Sequence, residues 1–285
     1  MKKNNLLELQ AEAIDFIAQN APQAQSAIFP NLSPDELQKR LIERIQHPET
    51  MDQDKGTNFC WAAAITYIIW EDNPQTLAKA VIDLYNTGHF YYQEVHADPS
   101  PAVGVAVGSE AFHNNMNLKN KVDQLLFMTL ADEEEYKGWT NIDKQYHPED
   151  EDDPKWSGRV FDAIYRLYQD FGYEVAAFGS DFGNTFFVDD KYDYFEKASQ
   201  VLDTHDIILF VNTQRFKQDY KSGWAKFKSD LRFFGNHYLR LGSITPHDND
   251  EFTIGYWDYG AWKSELMTPE YFNKSVFGII QLKKK

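Results

Sequence analysis

Gly56-Thr57-Asn58-Phe59-Cys60-Trp61-Ala62-Ala63-Ala64 runs without a break into Ile65-Thr66-Tyr67-Ile68-Ile69-Trp70, and the reading of the whole chain starts from this stretch. From Trp61 to Trp70 the residues are apolar on every side except at Thr66. A helix that is apolar all round is a buried helix. Gly56, Thr57 and Asn58 are turn and N-cap residue types, so an irregular segment is expected to enter the helix close to Cys60. Cys60, the only cysteine of 285 residues, then sits in the first turn. Backbone N–H groups are unpaired there and the helix dipole favours an anion, which suits a nucleophilic thiolate. A free cysteine is also commonly just a small buried hydrophobe. This stretch alone leaves both readings of Cys60 open.

Working outward, 42% hydrophobic and 15% aromatic residues indicate a folded chain, long enough for one large domain or two small ones. The formal net charge of −16 disfavours nucleic acid and anionic lipid as partners, because both need a basic face. One cysteine excludes an internal disulfide and a cysteine-rich zinc site. The N-terminus, MKKNNLLELQAEAIDFIAQN, has neither a continuous apolar core nor a small-residue cleavage site, so no Sec signal peptide is expected. No window approaches the roughly 20 apolar residues of a membrane span. Synthesis in the cytoplasm is expected, with export by a machine that reads no Sec signal left open.

Before the buried helix, residues 4–19 read as an amphipathic helix with Leu6, Leu7, Ala13, Ile14 and Ile17 on one side. Ser33-Pro34-Asp35-Glu36 marks a second helix start, running to about Ile45. Residues 1–50 are therefore expected to form a helical extension packed on a body spanning 51–285. A structural cap is preferred to a pro-segment that masks the site.

Beyond it, helices are expected at Gln75–Tyr85, Leu118–Ala131 and Ser157–Phe171. His89, His96 and His113 lie in a mixed stretch, but their spacing fits no standard zinc pattern, and no metal or other cofactor is expected. The acidic run PEDEDDPK at 148–155 does not match a calcium loop and reads as solvated. Strands are expected at Tyr173–Phe178, Asp206–Asn212, Gly235–Leu241, Glu251–Trp257 and Val276–Leu282, with helices at Asp190–Thr204 and from Pro269. Thr213–Phe234, rich in aromatics, reads as a loop or lid. Helices first and an antiparallel sheet last is an α+β pattern.

Two further residues then join Cys60. His237 opens a strand and Asp258 ends the next one, 21 positions later, with a turn at Asp248-Asn249-Asp250 between them. A hairpin brings corresponding ends of adjacent strands to about 5 Å, so the two belong at one open end. His237 can exchange a proton with a thiol, and Asp258 can fix the imidazole's tautomer and orientation. Each also has a plainer reading, a core histidine and a turn aspartate.

GTNFCWAAA around Cys60, GNHYLRLGSI around His237 and FTIGYWDYGAW around Asp258 together resemble the papain-like cysteine peptidases. The likeness follows the order of elements over about residues 50–285 and the sequence in those three segments. It is closer to divergent bacterial secreted or effector members with a Cys-His-Asp triad than to lysosomal-type enzymes. The resemblance implies a papain-like fold, in which a helical part carrying the catalytic helix packs on a C-terminal antiparallel sheet. It implies Cys60, His237 and Asp258 as catalytic residues acting on a peptide or isopeptide bond. Lysosomal-type members carry a Gln six residues before the nucleophile as oxyanion donor; here that position is Asp54. Gln53 and Asn58 are the two candidate donors, Gln53 preferred, and Trp61 is a candidate for the substrate groove. The same triad serves deamidases and acyl transferases. A non-catalytic module of the same fold, whose acidic surface engages a basic partner such as an immunity protein, is the alternative from another class.

Overall fold

The structure, a computed structural model, describes residues 2–53, 57–109, 118, 120–133, 146, 159–181, 193–216, 235–248 and 250–285. The chain divides into two units, Met1–Arg159 and Val160–Lys285. The first is dominated by helices and the second is built on an antiparallel sheet, which makes the protein mixed α and β, as the sequence pattern implies.

In the first unit, α1 (Lys2–Asn20) packs on α2 (Pro34–Gln46), and Ser33 caps α2 by accepting from the Glu36 N–H. The seam of α1 differs from the expected one. Ala13 and Ile17 are fully buried, but Leu7 is 68% exposed. Gln10 replaces it toward α2, donating from Nε2 to the Ile45 carbonyl at 2.6 Å. A polar side chain can take a seam position when it finds a carbonyl at a helix end, where such groups are left over.

α3 (Cys60–Asp72) is the buried helix, with every residue from Cys60 to Trp70 inside. Its one expected polar intruder, Thr66, satisfies its hydroxyl on the Ala62 carbonyl at 2.7 Å. α4 (Pro74–Thr87) follows, closed by Gly88 in the left-handed conformation. The stretch that read as mixed resolves into a small hairpin, β1 (Phe90–Tyr92) with β2 (Val95–Ala97), and the short α5 (Pro101–Ala106). α6 (Lys121–Asp132) is buried along its length apart from Lys121 and docks on α2 and α3. His113 and the run 148–155 lie outside the described residues.

The second unit opens with α7 (Phe161–Asp170). This helix begins after Val160, and not at Ser157, which lies outside the described residues. The elements that follow are β3 (Tyr173–Gly179), α8 (Tyr194–Val201), β4 (Asp206–Val211), the single turn α9 (Thr213–Phe216), β5 (His237–Pro246), β6 (Phe252–Asp258), β7 (Ala261–Met267), α10 (Pro269–Ser275) and β8 (Val276–Lys284). The sheet order is β3-β8-β4-β5-β6-β7, antiparallel at every pairing. β7 was not expected: its residues AWKSELM are mostly exposed, as an edge strand permits. One face of the sheet carries Leu209, Val211, Leu239, Leu241, Ile254 and Tyr256 under α8, α9 and α10. The other packs on α7, where Phe161 stacks on Phe210 at 5.8 Å. A Cβ at Gly278 would lie 2.4 Å from the Phe161 ring, so only glycine allows this close approach. The rest of the expected lid, residues 217–234, lies outside the described residues. No helix among the described residues is long and apolar enough to cross a membrane.

Candidate functional site

The six residues singled out by the sequence fall in both units. Gln53, Asn58, Cys60 and Trp61 belong to the first; His237 and Asp258 belong to the second.

In the first unit Cys60 is buried and is the first residue of α3. The N-cap is Phe59, not one of the polar residues before it, and its side chain makes no capping hydrogen bond. It packs instead against Phe127 of α6, ring centroids 5.8 Å apart. Thr57 organises the approach: its hydroxyl donates to the Gln53 carbonyl and accepts from the Phe59 N–H at 3.4 Å. Gln53 is 2% exposed, and among the described residues its side-chain Oε1 has no hydrogen-bond partner. Leaving a buried amide oxygen unpaired costs about 1–3 kcal/mol, so an amide here asks for a reason beyond packing. Asn58 is half-buried. Trp61 is buried, with the Arg159 guanidinium 5.4 Å over its ring. Arg159 also donates to the Ala131 carbonyl at the end of α6. Burial pushes the Arg159 guanidinium down to about 10, partly offset by Asp132 and Glu133, and it remains a cation at neutral pH.

In the second unit the hairpin delivers the expected pair. Arg240 lies opposite Trp257 and Leu241 opposite Tyr256, which sets Asp258 diagonally across from His237 on the same face of the sheet. His237 Nε2 and Asp258 Oδ1 are 2.6 Å apart, and both side chains are about 95% buried. Burial pushes the Asp258 carboxyl up, but hydrogen bonds and charge from His237 and Lys263 outweigh it and hold it below its usual range. Asp258 is therefore the acceptor, and Nε2–H of His237 donates. Nδ1 is the other nitrogen of the ring.

Two contributors to this site were not anticipated. Asp258-Tyr259-Gly260-Ala261 closes the β6–β7 hairpin with φ of 50° at Tyr259 and 71° at Gly260, the paired left-handed geometry of a type I′ turn. The turn lays the Tyr259 ring on the His237 imidazole, centroids 5.0 Å apart and 16° from parallel. Lys263, two residues into β7, returns to the same face and donates from Nζ to Asp258 Oδ2 at 2.8 Å. A carboxylate thus held on both oxygens has little freedom to rotate, and the imidazole it orients is clamped from one side. Asn236 pins the entry to β5: its Oδ1 accepts from the Thr213 N–H at 2.9 Å.

No protein-family model matches the sequence, no curated protein matches it, and no solved structure matches the fold.

Proposed function

We propose that this chain is a cysteine hydrolase of papain-like fold that cuts a peptide or isopeptide bond. The observation that carries the proposal is the buried His237–Asp258 pair, diagonal across the β5–β6 hairpin and reinforced by Lys263 and Tyr259. Cys60, the first residue of a helix buried from Cys60 to Trp70, supplies the nucleophile. In the proposed reaction the thiol proton passes to His237 Nδ1 and Sγ attacks the carbonyl carbon. The tetrahedral oxyanion is stabilised by backbone N–H groups at the start of α3 and by the side-chain amide of Gln53, with Asn58 as the second candidate. Collapse of the intermediate expels the amine, which takes the proton from the imidazolium. Water then releases the acid and restores the thiol. Asp258 holds the ring throughout and stabilises the imidazolium.

The packing of α1 on α2 and α4, and of α2 on α6, supports the reading of residues 1–50 as a structural cap. A net charge of −16 suits a substrate or inhibitor protein with a basic face, and delivery as a bacterial effector fits the same analogy.

The test is alkylation of Cys60 by iodoacetamide across pH, in wild type and in His237→Ala. A paired thiolate labels rapidly at pH about 6.5, and the substitution slows it roughly tenfold or more at that pH. Labelling that is slow below pH about 8 and unchanged in His237→Ala would sink the enzyme reading and leave a binding module. Rapid labelling without cleavage of a peptide library would redirect the same triad to deamidation or acyl transfer.

A further inference from the structure

A second cluster of chemistry-bearing side chains lies on the β1–β2 hairpin, in the first unit. The strands pair Phe90 with Ala97, Tyr91 with His96 and Tyr92 with Val95. Burial alternates strictly: Phe90, Tyr92, Val95 and Ala97 are buried, while Tyr91 and His96 are exposed. Continued by one step, the register sets His89 opposite Asp98, on the exposed face. His89 Nδ1 and His96 Nε2 both point to the same oxygen, Asp98 Oδ1, at 2.8 and 3.1 Å. Ligand atoms of all three residues lie within 4.8 Å of one another.

We propose that His89, His96 and Asp98 form a binding site for a divalent transition ion, zinc foremost. A cation about 2.0–2.1 Å from each of three tetrahedral donors holds them roughly 3.3 Å apart; the two imidazole nitrogens already lie 2.8 and 3.1 Å from Asp98 Oδ1 and within 4.8 Å of each other. Two imidazoles with one carboxylate is a donor set for zinc, cobalt, nickel or copper; magnesium and calcium take oxygen. The frame is rigid where it needs to be. Four buried side chains anchor the hairpin from below, and Tyr91 stacks flat on the His96 ring, centroids 4.5 Å apart and 3° from parallel. This outer contact fixes the ring plane, as supporting groups do at metal sites. Binding moves each imidazole's N–H to its other nitrogen, so that Nδ1 of His89 and Nε2 of His96 become donors to the metal. Three protein ligands on an exposed surface leave the remaining positions to water or to a group from another molecule. The sequence passed over the site because the histidine spacing alone shows no motif; the hairpin register supplies the third ligand from Asp98.

The experiment uses the full chain, stripped with chelator, and titrates zinc against a chromophoric competitor. The expected result is one zinc per chain with a Kd on the order of micromolar or tighter, weakened at least about tenfold in His96→Ala and in Asp98→Asn. Cys60→Ser leaves binding unchanged, and magnesium does not compete. Cobalt substitution gives the visible bands of a tetrahedral ion without a thiolate charge-transfer band. All three ligands are about half exposed, so the variants are expected to fold, which circular dichroism confirms. Absence of stoichiometric binding at about 100 μM zinc overturns the proposal, as does equal affinity in wild type and His96→Ala.

Discussion

Asp258 accepts from His237 on one oxygen and from Lys263 on the other, and this double engagement has a consequence for pH. The partners hold the carboxyl below its ordinary value despite burial. Such a group stabilises the fold above the unfolded value of about 4, and the contribution is lost as pH falls through the lower folded value. The denaturation midpoint of the wild type should drop steeply below pH about 4, and Asp258→Asn should flatten that acid limb. Parallel curves for the two proteins between pH about 2 and 5 would show that Asp258 is not the linked group. Where peptidase activity is found, Asp258→Asn should also lower kcat by about 10²–10⁴, because the amide can favour the wrong imidazole tautomer. The pair itself was legible because a hairpin converts sequence separation into register. Lys263 and Tyr259 were not: they reach the site only through a type I′ turn and an edge strand with no apolar alternation.

Among the elements, α2 and α6 are joined by an ion pair that hydrophobic periodicity does not reveal. Arg44 Nε meets Asp123 Oδ1 at 2.9 Å and its terminal nitrogen meets Oδ2 at 2.6 Å, both side chains 2% exposed. Burial pushes the Asp123 carboxyl up to about 6, and Arg44 only partly pulls it back. The sign is opposite to that of Asp258: this contribution declines as pH rises from about 4 to about 6, then stays level. At neutral pH the pair is ionised, and breaking one side strands a buried charge. Asp123→Asn should therefore cost about 3–5 kcal/mol of unfolding free energy, while Arg44→Met with Asp123→Leu should recover most of it. Chemical denaturation checks both; a single variant within about 1 kcal/mol of wild type would mean that Arg44 finds water or another partner. What the sequence did show at this scale was strong local signal. α3 is apolar all round, α2 has Ser33-Pro34 at its start, and Gly88 ends α4. The hairpin β1–β2 escaped because three-residue strands are too short to display a period. The seam of α1 departs from apolar periodicity at Leu7 because Gln10, a half-buried polar residue, meets α2 through a hydrogen bond.

At the scale of the whole molecule, the division into Met1–Arg159 and Val160–Lys285 puts the nucleophile candidate in one unit and its proposed partners in the other. The sequence pattern suggests a division at residue 50, whereas the two units meet at Arg159 and Val160; the change from helical to strand periodicity after residue 172 falls inside the second unit. It could not show that helices as early as α1 and α2 belong with α3, α4 and α6, because helix docking is a property of contact faces and not of local pattern. Separate units should open separately, since local unfolding follows contiguous cooperative blocks. Asp123→Asn is expected to speed amide hydrogen exchange in α2, α3 and α6 and to leave β4, β5 and β8 near wild-type rates. Gly278→Ala forces a Cβ against the Phe161 ring, an overpacking that costs about 1–3 kcal/mol, and should do the reverse. If each substitution instead raises exchange by the same factor in both units, the chain opens as one cooperative block. The elements that carry Cys60 and His237 would then form and dissolve together.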